Sequence, residues 1–187
     1  MKKKSMVLVL ALALLVIGMI GGTLAWLTDT SKAVVNTFTT SDIDISLDET
    51  TGDSYKMVPG YTIDKDPQVT VLKGSEECYL FVKLEKSQDF DAYLEYTVAD
   101  GWTALDGVNG IYYRVVETAD MGTAYHVLAN DQVTVKGSVT KDMMNQLTAE
   151  TYPQLKVTAY ASQYHKNADE TFTAAEAWAN VADPSGN

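Results

Sequence analysis

A chain that opens on a basic cluster and then an unbroken apolar run gives that run to a membrane, so only the residues beyond it are free to form a water-soluble fold. Lys2, Lys3 and Lys4 precede residues 6–20, which are almost wholly Leu, Val, Ala and Ile, and Gly21-Gly22-Thr23-Leu24-Ala25-Trp26 comes next. Charged start, apolar middle and small-residue exit is the order of an export signal. Thr23 and Ala25 set small side chains at the first and third of the three positions before a scissile bond, which predicts cleavage between Ala25 and Trp26. The paired glycines weaken a helix and let the chain enter a protease site extended. The alternative is an uncleaved anchor, since the 22 residues from 6 to 27 carry no charge, and roughly 20 apolar residues cross a bilayer.

Cleavage leaves 162 residues, enough for one domain with a real core. Removing Lys2, Lys3 and Lys4 takes the formal charge from -11 to -14. Such a surface is repelled by nucleic acid and anionic lipid, so neither is an expected partner, and membrane contact is expected only through the uncleaved leader. The single cysteine, Cys78, has no partner for an internal disulfide, and its neighbours Tyr79, Leu80, Phe81 and Val82 mark it as a small buried hydrophobe. Trp26 stands where a lipoprotein would carry cysteine, and residues 181–187 hold no sorting motif with an apolar tail, so the mature product is expected to be secreted without a covalent anchor.

The rest of the chain reads as short strands punctuated by turns. In residues 41–47, Ile43, Ile45 and Leu47 alternate with Asp42, Asp44 and Ser46, the period of a half-buried strand. Residues 49–54 form a loop, 55–58 a short strand, and Pro59-Gly60 suits the middle of a type II turn. Residues 69–72 form another strand, turned by Lys73-Gly74-Ser75. The run Cys78–Lys86 is the most apolar outside the leader: Cys78, Leu80, Val82 and Leu84 share one face, Tyr79 and Phe81 the other, which predicts a central strand covered on both sides. Further strands are expected at 92–99, 111–118, 125–128, 132–139 and 155–164, with Asn109-Gly110 as a hairpin signal. Thr140 can cap a short helix carrying Met143, Met144 and Leu147, and Thr173-Ala174-Ala175-Glu176 has capping-box spacing ahead of Trp178. This pattern predicts an all-β fold, an antiparallel β-sandwich with one or two short helices, preceded by the hydrophobic signal helix.

Signatures of catalysis are sparse. A helical zinc site needs two His four apart beside a Glu, whereas His126 and His165 are 39 positions apart. There is no Gly-x-Ser-x-Gly elbow, phosphate loop or dinucleotide fingerprint. Asp42, Asp44, Asp48 and Glu49, or Asp64 and Asp66, offer hard oxygens to calcium, though alternating Asp on a strand ordinarily makes a solvated face. The expectation is a non-enzymatic domain with no catalytic residue, metal or cofactor. Exposed Trp102, Tyr112 and Tyr113 in loops would favour an adhesin or ligand-binding module.

The junction Gly21-Gly22-Thr23-Leu24-Ala25-Trp26, then Thr28-Asp29 and Asn36-Thr37-Phe38-Thr39, resembles the start of the TasA/camelysin family of exported bacterial surface and matrix proteins. Further landmarks in the family's order are Asp42-Ile43-Asp44-Ile45-Ser46-Leu47, Met57-Val58-Pro59-Gly60, the strands at 69–72 and 78–84, and Lys156-Val157-Thr158-Ala159-Tyr160-Ala161-Ser162-Gln163. A type IV pilin leader instead resembles a Gly-Phe junction with an early Glu, and no acidic residue precedes Asp29. The resemblance implies a jelly-roll-like sandwich, a SipW-type signal peptidase as processing partner, and self-association into biofilm-matrix or surface fibres; because camelysin relatives have been classed as metallopeptidases, it also implies that activity as an alternative. The implied organisation is a signal peptide over 1–25, an extended N-terminal arm over 26–40 and a β-sandwich domain over 41–187. In this reading Trp26, Leu27, Val34, Val35 and Phe38 form an adhesive arm that pairs with a sheet edge of the next subunit or completes its own sheet.

Overall fold

The computed structural model describes residues 42–52 and 55–182, all within the unit Thr40–Asn187. The expected signal segment, the expected cleavage residues Thr23, Ala25 and Trp26, and the expected arm residues Leu27, Val34, Val35 and Phe38 lie outside the described residues.

The described chain is all-β, built from three antiparallel sheets with a few short helices. Its strands are β1 (Ile45–Asp48), β2 (Thr62–Asp64), β3 (Gln68–Val71), β4 (Cys78–Lys86), β5 (Leu94–Glu95), β6 (Thr103–Ala104), β7 (Ile111–Val116), β8 (Ala124–His126), β9 (Gln132–Val135) and β10 (Leu155–Gln163). They order as β1-β3-β8, β10-β4-β7-β6 and β2-β9-β5. The helices are α1 (Phe90–Tyr93), α2 (Lys141–Asn145) and α3 (Ala174–Ala182).

Strand β4 is the centre, as its two-faced apolar pattern requires. It is hydrogen-bonded to β10 on one side, from Leu155 opposite Lys86 to Gln163 opposite Cys78, and to β7 on the other. Cys78, Leu80, Val82 and Leu84 face a main core shared with Val69 and Val71 of β3, Val116 of β7 and Val133 and Val135 of β9, so all three sheets contribute. Tyr79 and Phe81 face a second cluster with Ile111, Leu105 and Ala177, roofed by α3. Trp178 packs its ring against Phe81 and edge-on against Tyr160, with centroids 5.3 Å away in both cases. Phe81 is wholly buried, and removal of such a ring costs about 3–5 kcal/mol, so this second cluster is a structural element in its own right.

The helix starts carry the predicted caps. Thr140 Oγ1 accepts the Met143 N–H at 3.2 Å. At α3, Glu176 Oε2 accepts the Thr173 N–H at 2.8 Å while Thr173 Oγ1 accepts the Glu176 N–H at 3.3 Å, a reciprocal capping box. The Pro59-Gly60 turn is present too, with Gly60 at φ 79° and Tyr61 N–H donating to the Val58 carbonyl at 3.0 Å.

Two expectations are corrected. Residues 55–58 form no strand; pairing with β9 is taken up only after the turn, in β2, whose three residues show no strand period of their own. The strand expected at 92–99 is largely replaced by α1 and the two-residue β5, because one helical turn buries Phe90 and Tyr93 together, an i and i+3 pair that an extended chain would send to opposite faces. The strand expected at 111–118 is present as β7 and carries Tyr112 and Tyr113; both tyrosines and Trp102 are half-buried, so the exposure that would favour an adhesin or ligand-binding module is lacking at these three residues.

Candidate functional site

Among the described residues, several elements together line a groove of about 1000 Å³. Its floor is apolar because each contributing element turns a hydrophobic side chain the same way: Ile63 from β2, Val133 from β9, Leu94 from β5, Phe90 from α1, Leu155 from β10, and Met144 with Leu147 from α2 and the residues after it. Met57 and Tyr55 form a further wall. Phe90, Leu94 and Val133 are buried beneath it, whereas Met57, Ile63, Met144, Leu147 and Leu155 are only half-buried, so the groove opens onto the main core. Helix α2 is tied down from below, where Tyr93 Oη donates to the Met143 carbonyl at 3.2 Å.

Strand ends border this groove. β2 and β10 are each terminal in their sheets, with a hydrogen-bonded neighbour on one side only among the described strands. A terminal strand presents backbone N–H and C=O groups that an added strand can bind. Among the described residues the groove thus brings apolar side chains next to two strands that each have a single paired neighbour, and apolar pockets beside a sheet edge are what an extended peptide needs.

The charges on the groove have no signature in the sequence. Lys56, Lys65 and Lys156 line it and, among the described residues, no carboxylate does, although the chain has 25 acidic residues against 14 basic. Lys65 is held by Glu49 at 2.7 Å and Lys156 by Glu85 at 3.4 Å, which damps the positive field. The three lysines are scattered along the chain, so only the fold collects them.

Behind the Tyr55 wall a carboxylate ties two loops together. Asp66 accepts from Thr50 N and Thr51 N at 2.9 and 3.0 Å and from their hydroxyls at 2.5 and 2.9 Å. These bonds, the Thr50 hydroxyl first, hold the Asp66 carboxyl well below the usual carboxylate range. A carboxylate held by four donors, three of them on Oδ1, anchors the loop that carries Thr50 and Thr51. Asp42, Asp44 and Asp48 lie exposed along β1 and the residues before it, the solvated face of that strand.

The histidines stay apart from the groove's apolar floor. His126 Nδ1 pairs with Asp131 Oδ1 at 2.7 Å, and His165 Nε2 with Glu77 Oε2 at 2.9 Å. Each meets its own carboxylate, and no group of three His, Cys, Asp or Glu side chains converges among the described residues. Comparison with protein-family models, with curated proteins and with solved structures finds no match for this chain.

Proposed function

We propose that this chain is an exported structural subunit of matrix or cell-surface fibres, cut after Ala25 by a SipW-type signal peptidase, whose folded part is a jelly-roll-like β-sandwich. The reading of the sandwich rests on one core cluster that draws side chains from three antiparallel sheets. The reading of function rests on one observation above all: a groove of about 1000 Å³ with an apolar floor, bordered by two strands that are terminal among the described strands.

Cleavage would free Trp26 at the head of an extended arm. The arm of one subunit adds a strand at the groove of the next, with Trp26, Leu27, Val34, Val35 and Phe38 supplying the side chains that fill the floor. Backbone hydrogen bonds give this contact its strength and the apolar residues set its register. Because donor and acceptor surfaces differ, the contact is head-to-tail and propagates as a filament.

The test is to express the full chain with Ala25→Asp, and separately with residues 26–36 deleted after the cleavage site, and to image the secreted material by electron microscopy with N-terminal sequencing. The first variant should leave a membrane-retained precursor and no filaments. The second should leave a folded monomer on size-exclusion chromatography. Normal filaments from either variant would overturn the proposal.

A further inference from the structure

Arg114 is the only arginine in the chain, and it occupies a place where an apolar side chain would be expected. It lies on β7 between Tyr112 and Val116, whose side chains pack on or within the main core, so alternation turns Arg114 toward that same face. Its guanidinium carbon sits 3.7 Å from the centroid of the Tyr125 ring and 5.4 Å from that of Trp102. Arginine stacks on aromatic faces in this way, the flat cation lying against the negative face of the ring.

The surroundings are built to hold that plane. Trp102 is fixed by its indole Nε1, which donates to the His126 carbonyl at 2.8 Å. Gly101 has φ 85°, and a Cβ there would come within 3.0 Å of Arg114 Nη2, so the guanidinium uses space that another residue would fill. Yet no carboxylate pairs with Arg114 among the described residues, and its Nε is buried without a hydrogen-bond partner. Burial draws its pKa below the ordinary arginine value, while Tyr125 and Asp120 act the other way by charge.

Stacking occupies the faces of the guanidinium and leaves its edge. Among the described residues the two Nη groups make no hydrogen bond, and neither is among the buried unpartnered atoms. A planar fork of N–H donors, held in one orientation and backed by a low-dielectric aromatic shelf, matches a planar two-oxygen acceptor. We propose that Trp102, Arg114 and Tyr125 form a carboxylate-binding site, in which the Nη edge of Arg114 takes both oxygens of a carboxylate. The overall negative charge of the chain works against casual anion binding at this spot, so occupancy depends on the fork geometry and not on a diffuse positive field.

A protein with one arginine gives a single guanidinium Nε–Hε resonance, which needs no assignment. Protein purified from cells expressing the full chain would be titrated with sodium acetate, with a short blocked peptide carrying one glutamate, and with sodium chloride and sodium phosphate at matched ionic strength. The expected result is a saturable shift of that resonance with acetate at concentrations on the order of millimolar, and no saturation with chloride. Binding of the glutamate peptide about tenfold tighter than acetate would place the carboxylate on a protein partner, and equal binding would place it on a small acid. In Arg114→Lys, which keeps the charge and loses the fork, the Trp102 indole resonance should no longer saturate with acetate while the far-ultraviolet circular dichroism is unchanged. Equal shifts with chloride and acetate, tighter binding of phosphate than of either carboxylate, or an undiminished response in Arg114→Lys would overturn the site.

Discussion

Leu84 and Gly110 meet backbone to backbone: Leu84 N–H donates to the Gly110 carbonyl at 2.8 Å, and a Cβ on Gly110 would stand 2.6 Å from the Leu84 carbonyl oxygen. Gly110 also has φ 75°, so both its conformation and its surroundings exclude a side chain. Gly107, in the same loop, has φ 77° but nothing within 4 Å of the corresponding position. Gly107→Ala should cost about 1–2 kcal/mol for the left-handed backbone alone. Gly110→Ala should cost about 1–3 kcal/mol beyond that, from the forced shift of β4 against its neighbour. Urea midpoints measure both, and equal losses would show that the contact is relieved without strain.

Stability should fall on acidification through two carboxylates. A hydrogen bond from Lys166, then the N–H and hydroxyl of Thr173, lower the Glu176 carboxyl from 4.5 to about 2. Asp66 is lowered likewise by Thr50 and Thr51. A depressed folded-state pKa means that the contribution is present above the unfolded value and is lost as pH falls through the folded one. The difference in unfolding midpoint between the native chain and Glu176→Gln should therefore be full at neutral pH and shrink between about pH 4.5 and pH 2. A difference that stays constant over that window would show that the Glu176 charge plays no part in the loss.

Cys78 is wholly buried on the core face of β4, and burial pushes its thiol up to about 11. Thiolate is the reactive form, so the folded protein should resist a thiol reagent at about pH 8 and react fully once urea has unfolded it. Rapid labelling without denaturant would show that the end of β4 opens locally.

If subunits assemble through the groove as proposed, charge placed there should separate assembly from folding. Met144→Glu and Leu147→Glu sit on half-buried positions that line it, so the monomer should persist on size-exclusion chromatography while filaments disappear. Val108→Glu, at a position 38% exposed and outside the groove, is the control and should leave filaments intact. Filaments formed by both groove variants would move the acceptor surface elsewhere.

Elements with a complete local code were legible from sequence. Cys78–Lys86 is long enough to show its period and apolar on both faces, and the folded strand has those same boundaries and packs on two separate clusters. Thr140 and the Thr173 to Glu176 box cap the expected helices because a cap is a contact within four residues. By contrast β2 and β6, at three and two residues, are too short to display any period and exist because β9 and β7 supply their hydrogen bonds. The groove was hidden for the same reason: Met57, Val133 and Leu155 share a lining only after the chain has returned twice.

What the sequence determined by itself is the set of short-range statements: a basic start followed by an apolar run, a strand-rich remainder, a two-faced central strand and the helix caps, each fixed by side-chain period or by contacts a few residues apart. What only the tertiary structure decided is which distant segments share a surface. It opened a groove between β2 and β10, gave each histidine its own carboxylate, and turned the one arginine onto Tyr125 and Trp102. Those outcomes depend on which strands find each other as neighbours, and a one-dimensional pattern holds no term for that pairing.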